Sequence, residues 1–221
     1  MSIERMEAND ALIEAISWGD AEKARRALDR GPDPNALGSD GFGTEARGYS
    51  GLHIAAAQVD IESVRLLLER GADPGVRSAY GDTAMVRAVA AGQKDIVLAL
   101  LSAGADPNAR CAGDITALHW AAESHDELTS LLLNAGADPT ARTVEGDTPL
   151  HWAVTAEMER PEACVVLIVA GADPDARNER GYSPAELAEG ESTAQAILAG
   201  REARELAEAA PEATQGRRRR M

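Results

Sequence analysis

The chain has 221 residues, 44% of them apolar and only 3% aromatic, so a core has to be assembled from Ala, Leu, Val and Ile. Its formal net charge is −15 even with the four arginines Arg217 to Arg220 included, and so acidic a body repels DNA, RNA and anionic membranes at long range. No apolar run reaches the roughly eighteen residues of a membrane span, and Cys111 and Cys164 form neither a CxxC pair nor a disulfide framework.

The opening MSIERMEANDALIEA carries Glu4 and Glu7 and lacks the basic-then-apolar order of a signal peptide, so the expected compartment is the cytoplasm. Residues 1–35 read as a helical pair ending at Gly31-Pro-Asp-Pro34, with Lys23, Arg25 and Arg26 in its second helix. Such polar outer surfaces suit the end unit of a stack.

Residues 36–49 follow as an extended finger. Nineteen residues separate Gly31 from Ser50, against twelve at each later junction, so seven are inserted within Leu37 to Gly48. The glycines Gly38, Gly41, Gly43 and Gly48 have no strand before them and no Lys-Ser/Thr after them, which argues against a phosphate-binding loop and for a long loop that meets a partner.

Residues 50–178 hold four internal units. A Gly-x-Asp-Pro phrase begins at Gly31, Gly71, Gly104, Gly136 and Gly171, at spacings of 40, 33, 32 and 35. A second phrase keeps step with it at Ser50-Gly-Leu-His-Ile-Ala55, Thr83-Ala-Met-Val-Arg-Ala88, Thr116-Ala-Leu-His-Trp-Ala121, Thr148-Pro-Leu-His-Trp-Ala153 and Ser183-Pro-Ala-Glu-Leu-Ala188. Ser or Thr before an apolar run caps a helix, and Pro149 and Pro184 fit its first turn. A second apolar run follows, such as Leu128, Leu131, Leu132 and Leu133; Gly then closes that helix and Asp-Pro turns the chain away.

Residues 179–209 read as a C-terminal capping unit, in which Glu186 stands at the His position and the closing Gly phrase is absent. Residues 210–221 lack apolar periodicity and are expected to form a disordered basic tail.

The two phase-locked phrases resemble those of the ankyrin family, whose period is about 33 residues and whose signature is T-P-L-H-x-A. The resemblance covers roughly residues 6 to 207. It implies an all-α ankyrin-repeat solenoid of about six helix-turn-helix units with projecting β-turn fingers, binding a partner through a concave finger and first-helix face.

His53, His119 and His151 recur at one repeat position, and units stacked about 10 Å apart cannot share an ion among them. The resemblance implies that each fixes a turn through backbone hydrogen bonds. Trp120 and Trp152 are expected to pack as core, and Trp18 to be exposed. In the third unit Val86-Arg87 replaces His-plus-apolar, Arg87 is expected to be partly buried, and Asp114 occupies a finger position where Gly is expected.

The candidate binding residues lie on the fingers. Arg77, Arg110, Arg142 and Arg177 each follow a repeat Gly by six residues, either as a row facing a partner or as local partners of Asp73, Asp106, Asp138 and Asp173. Phe42, Tyr49, Tyr80 and Tyr182, which are all the tyrosines and the one phenylalanine, also fall in fingers or the insertion. Tyr and Arg dominate interface hot spots. Gln58 and Glu123, with Ala90, Ala91, Ser124, Thr155 and Ala156, end the first helices beside them.

The expected function is therefore a non-catalytic protein-binding module; the alternative is an acidic regulator or inhibitor of a basic, nucleic-acid-binding protein. No Ser/His/Asp, Cys/His or paired-carboxylate set stands outside the repeat pattern, so neither enzyme chemistry nor a cofactor or metal is expected. A monomer is expected, with nucleic acid touched at most by the Arg217–Arg220 tail; the Ala, Arg and Gly richness points to a GC-rich bacterial genome.

Overall fold

The computed structural model describes residues 3–38 and 48–218. Among these there are twelve α-helices and no strand, arranged in successive antiparallel pairs. The chain divides into two compact units, Met1–Ala112 and Gly113–Met221.

The first unit pairs α1 (Ile3–Ser17) with α2 (Ala21–Leu28), α3 (Gly51–Ala57) with α4 (Ile61–Glu69), and α5 (Ala84–Ala90) with α6 (Lys94–Ser102). First helices pack on first helices, α1 on α3 and α3 on α5, while α2, α4 and α6 form a second layer. Between the layers lie Leu12, Ile13, Ile16, Leu52, Leu67, Met85, Ile96 and Leu100, all essentially inaccessible to water. Each such side chain contributes about 1.5–3 kcal/mol by leaving water.

The second unit repeats the plan with α7 (Ala117–Ser124) and α8 (Asp126–Asn134), and α9 (Pro149–Thr155) and α10 (Pro161–Val169); α11 (Pro184–Leu187) then packs on α9 and α12 (Glu191–Arg218) on α10. Leu118, Leu132, Leu150 and Leu167 are its buried centre. The apolar runs of the second helices are covered on one side only: Leu131 and Leu133 are half-buried, and Leu98 and Val169 are exposed. Two layers cover only the inward stripe of each helix.

Helix starts follow the sequence. The Asp20 and Asp60 carboxylates accept from the backbone N–H groups of Lys23 and Ser63, at 2.9 and 3.0 Å, and open α2 and α4. The bond from the Lys23 backbone also holds the Asp20 carboxyl below its usual range.

The inserted finger is closed at its base. Leu37 bridges to Ser50, Gly38 N–H donates to the Tyr49 carbonyl at 2.8 Å, and Gly48 N–H donates to the Gly38 carbonyl at 3.0 Å. Residues 39–47, and Phe42 with them, lie outside the described residues. At the other end α12 continues to Arg218, through the segment where the sequence predicts no regular structure; its Ala, Glu, Gln and Arg are good helix formers. Arg219, Arg220 and Met221 lie outside the described residues.

Candidate partner-binding face

The repeated histidines link neighbouring pairs. Nδ1 of His53, His119 and His151 lies 2.7, 2.9 and 2.9 Å from the hydroxyls of Ser50, Thr116 and Thr148, and the backbone N–H of the same three residues also points at it. A backbone N–H can only donate, so Nδ1 is the acceptor and the ring proton sits on Nε2. From there it donates to the carbonyls of Asp82, Asp147 and Tyr182, at 3.0, 3.2 and 3.1 Å, each in the following finger. Burial pushes the His53 and His151 imidazoles below their ordinary pKa, so both are held neutral.

Glu186 plays the same part at the last pair. Its carboxylate accepts from Ser183 N–H at 3.0 Å, as the imidazoles do. Both of its oxygens also take the Arg177 guanidinium, at 2.7 and 2.8 Å. That hydrogen-bonded pairing lowers the Glu186 pKa and raises that of Arg177.

The finger arginines are all exposed, and three of them share one contact. Arg77, Arg142 and Arg177 donate to the carbonyls of Gly81, Gly146 and Gly181, four residues on, and so close the finger turn. Arg142 also reaches the Arg177 carbonyl at 2.8 Å. Asp73, Asp106, Asp138 and Asp173 fold their own turns, each accepting from the backbone N–H two residues later. Arg110 is exposed on its finger.

In the first unit Tyr49 is the centre of an aromatic and cationic group. Its ring lies 5.1 Å from that of Tyr80 and 5.9 Å from that of His53, and the Arg87 guanidinium sits 4.3 Å above it. Arg87 donates to the Tyr49 hydroxyl and pairs with Asp82 at 3.0 Å. Tyr80 remains 54% exposed. Gln58 is exposed and donates to the Ser17 carbonyl at 3.0 Å, tying the ends of α1 and α3.

In the second unit Tyr182 is 53% exposed and Glu123 half-buried. Trp120 and Trp152 are corrected from core to half-buried: their rings meet edge to face at 5.5 Å, with His119 against Trp152 at 5.4 Å. Both follow the buried His by one residue, which turns the indole to the margin of the first helix. The signal was in the sequence, since two tryptophans at one repeat position in consecutive units mark a shared face. Trp18 is exposed, as predicted.

Against this geometry the family model for ankyrin repeats (3 copies) matches residues 12–111 and 110–178, most of the chain. The chain belongs to the ankyrin-repeat family. Its ankyrin relatives include protein PhlB of Serratia liquefaciens, 36% identical over 122 residues, which is 53% of this chain and 51% of PhlB. The rice protein named as a probable E3 ubiquitin-protein ligase, XBOS33 (Oryza sativa subsp. japonica), is 38% identical over 122 residues, 55% of this chain and 22% of its own length. An ankyrin repeat-containing protein of Treponema pallidum (strain Nichols) is 43% identical over 96 residues, 42% of this chain and 29% of its own. The chain thus spans about half the length of PhlB and less than a third of the other two. Ankyrin repeats are in general protein-interaction modules without catalysis of their own.

Among the described ankyrin residues no group of three or more His, Cys, Asp or Glu side chains converges on a metal position, and no helix is long and apolar enough to cross a membrane. Cys111 and Cys164 are buried, and burial pushes both thiols up, that of Cys164 to about 12. A thiolate is the reactive form. The native chain is therefore expected to resist a disulfide reagent at pH 8 and to react at both cysteines once unfolded in urea; fast native labelling of Cys164 would mean that α9 and α10 part readily.

Proposed function

We propose that this chain is a non-catalytic module that binds another protein through the fingers and first-helix ends of its repeats. The observation that carries the reading is the exposure of Tyr80 and Tyr182 on fingers whose backbones are locked to their neighbours. A rigid aromatic on a fixed turn gains contact area at little entropic cost. Tyr49, Arg77, Arg110 and Gln58 form this surface within the first unit, and Arg142, Arg177 and Glu123 form a surface of the same kind within the second. Phe42 belongs to the same proposal through the insertion. The chain acts as a monomer in the cytoplasm and carries no cofactor.

The test is capture of the partner from the native cell by the full chain, with Arg110→Glu plus Tyr80→Ala as the comparison. Loss of about 2 kcal/mol per hot-spot residue would remove most of the captured protein. Undiminished capture by the double variant would overturn the proposed face.

Charge favours a second, compatible reading. Residues 113–207 carry 18 carboxylates against six arginines, which suits an acidic regulator of a basic partner. Capture should then fall steeply between low and moderate salt; a salt-insensitive complex would overturn this version.

A further inference from the structure

We infer that the Trp120–Trp152 pair of the second unit is a seat for a lysine or arginine side chain of the partner protein. The inference rests on the binding-module reading above and names the chemistry of the contact. Leu118 and Leu150, two residues from each indole, are fully buried. The indoles are instead half-buried at an edge-to-face angle of 77°, in which one ring covers only part of the other. His119 braces Trp152 from the inner side. Trp is the strongest aromatic seat for a cation.

The surroundings select a cation over an apolar or anionic group. Glu123 stands one helical turn beyond Trp120 and so shares its face of α7. Beyond Trp152 the chain leaves α9 through a turn, 156–160, against the three residues 58–60 after α3 and the single residue 125 after α7, and it bears exposed Glu157, Met158 and Glu159. Asp126 and Glu127 open α8 at the same end. The one arginine there is already engaged: Arg160 donates through Nε to the Glu123 carbonyl at 3.2 Å and faces Asp126 at 3.6 Å, with its side chain only 17% exposed. Glu123 and Glu157 remain as carboxylates at the ends of the two helices that carry the indoles, while the Glu159 carboxylate lies against Gly190. A partner segment that lays a Lys or Arg over the rings, with an apolar neighbour against Met158, satisfies both.

The experiment uses the full chain with Trp18→Phe, a change at a residue 78% exposed, so that only Trp120 and Trp152 emit. The probe is a twelve-residue Gly/Ser peptide with three lysines, compared with the same peptide carrying acetyl-lysine. A saturable change in emission with the lysine peptide alone is expected, weakened about tenfold by Glu123→Gln/Glu157→Gln/Glu159→Gln. These isosteric changes leave the packing in place, so the result does not depend on a tryptophan variant folding. Trp152→Phe, checked for unchanged helix content, should weaken binding several-fold. No saturable response, an equal response to acetyl-lysine, or indifference to the carboxylate changes would each overturn the inference. If the peptide fails while capture remains sensitive to Tyr80 and Arg110, the module reading stands and the cationic contact falls. If capture is insensitive as well, both fall.

Discussion

Alanine at Gly146 is expected to destabilise the protein by about 3 kcal/mol, the sum of two independent penalties. The residue sits at φ +78°, where a side chain costs about 1–2 kcal/mol. A Cβ there would also stand 2.9 Å from the Glu179 nitrogen and 3.2 Å from the Asn178 Cα, both backbone atoms of the next finger that cannot swing aside. Around that contact Glu179 N–H donates to the Glu145 carbonyl at 2.9 Å, Asn178 reaches Asp147 at 2.7 Å, and Arg180 pairs with Glu145 at 2.7 Å. Relieving the clash must loosen these links, at about 1–3 kcal/mol more.

Gly104 supplies the comparison. It has φ +90° but open space where the Cβ would lie, so Gly104→Ala should cost only the backbone term, about 1 kcal/mol. Thermal midpoints should drop by about 10 °C for Gly146→Ala and about 3 °C for Gly104→Ala. Equal drops would show that neighbouring fingers of the second unit are not held against each other.

Positions governed by local chemistry are legible in the sequence. The Ser/Thr caps, the closing glycines and the turn-fixing histidines each act within a few residues of themselves or at one repeat's distance, so periodicity exposes them. Asp114 follows the same logic: it takes φ +59° at the finger position filled elsewhere by Gly48, Gly81, Gly146 and Gly181, a conformation that Asp tolerates better than most. What stayed hidden depended on where a long side chain ends. The guanidinium groups of Arg77, Arg142 and Arg177 reach the carbonyl four residues ahead, a contact that the spacing of the repeat does not announce. Trp120 and Trp152 read as core from their indoles alone, but the residue after a buried first-helix His points along the margin. Arg87 found its partners in Tyr49, 38 residues earlier, and in Asp82. Register alone does not disclose such an encounter.

Mild acid is expected to destabilise this protein through its buried histidines. His53 and His151 have folded pKa values below the ordinary 6.5, because burial disfavours the imidazolium. Protonating Nδ1 would also set a donor against the backbone N–H and hydroxyl that now donate to it. In the unfolded chain both rings titrate near 6.5, so below that pH the unfolded state binds protons that the native state refuses. The stability they contribute is full above about pH 6.5 and is lost as pH falls through the lower folded values, each ring adding a slope of at most about 1.4 kcal/mol per pH unit. Asp20 and Glu186, whose folded pKa values are lowered from 3.8 and 4.5, act in the same direction only at lower pH. Urea midpoints at pH 7.5, 6.5 and 5.5 should therefore fall steeply. In His151→Gln the midpoint should be lower at pH 7.5, by about 2 kcal/mol for the disturbed buried hydrogen bonds, while the decline toward pH 5.5 becomes shallower by one ring's share. An unchanged decline in that variant would mean that the links between first helices and following fingers survive protonation, and that His151 is not the acceptor its geometry makes it.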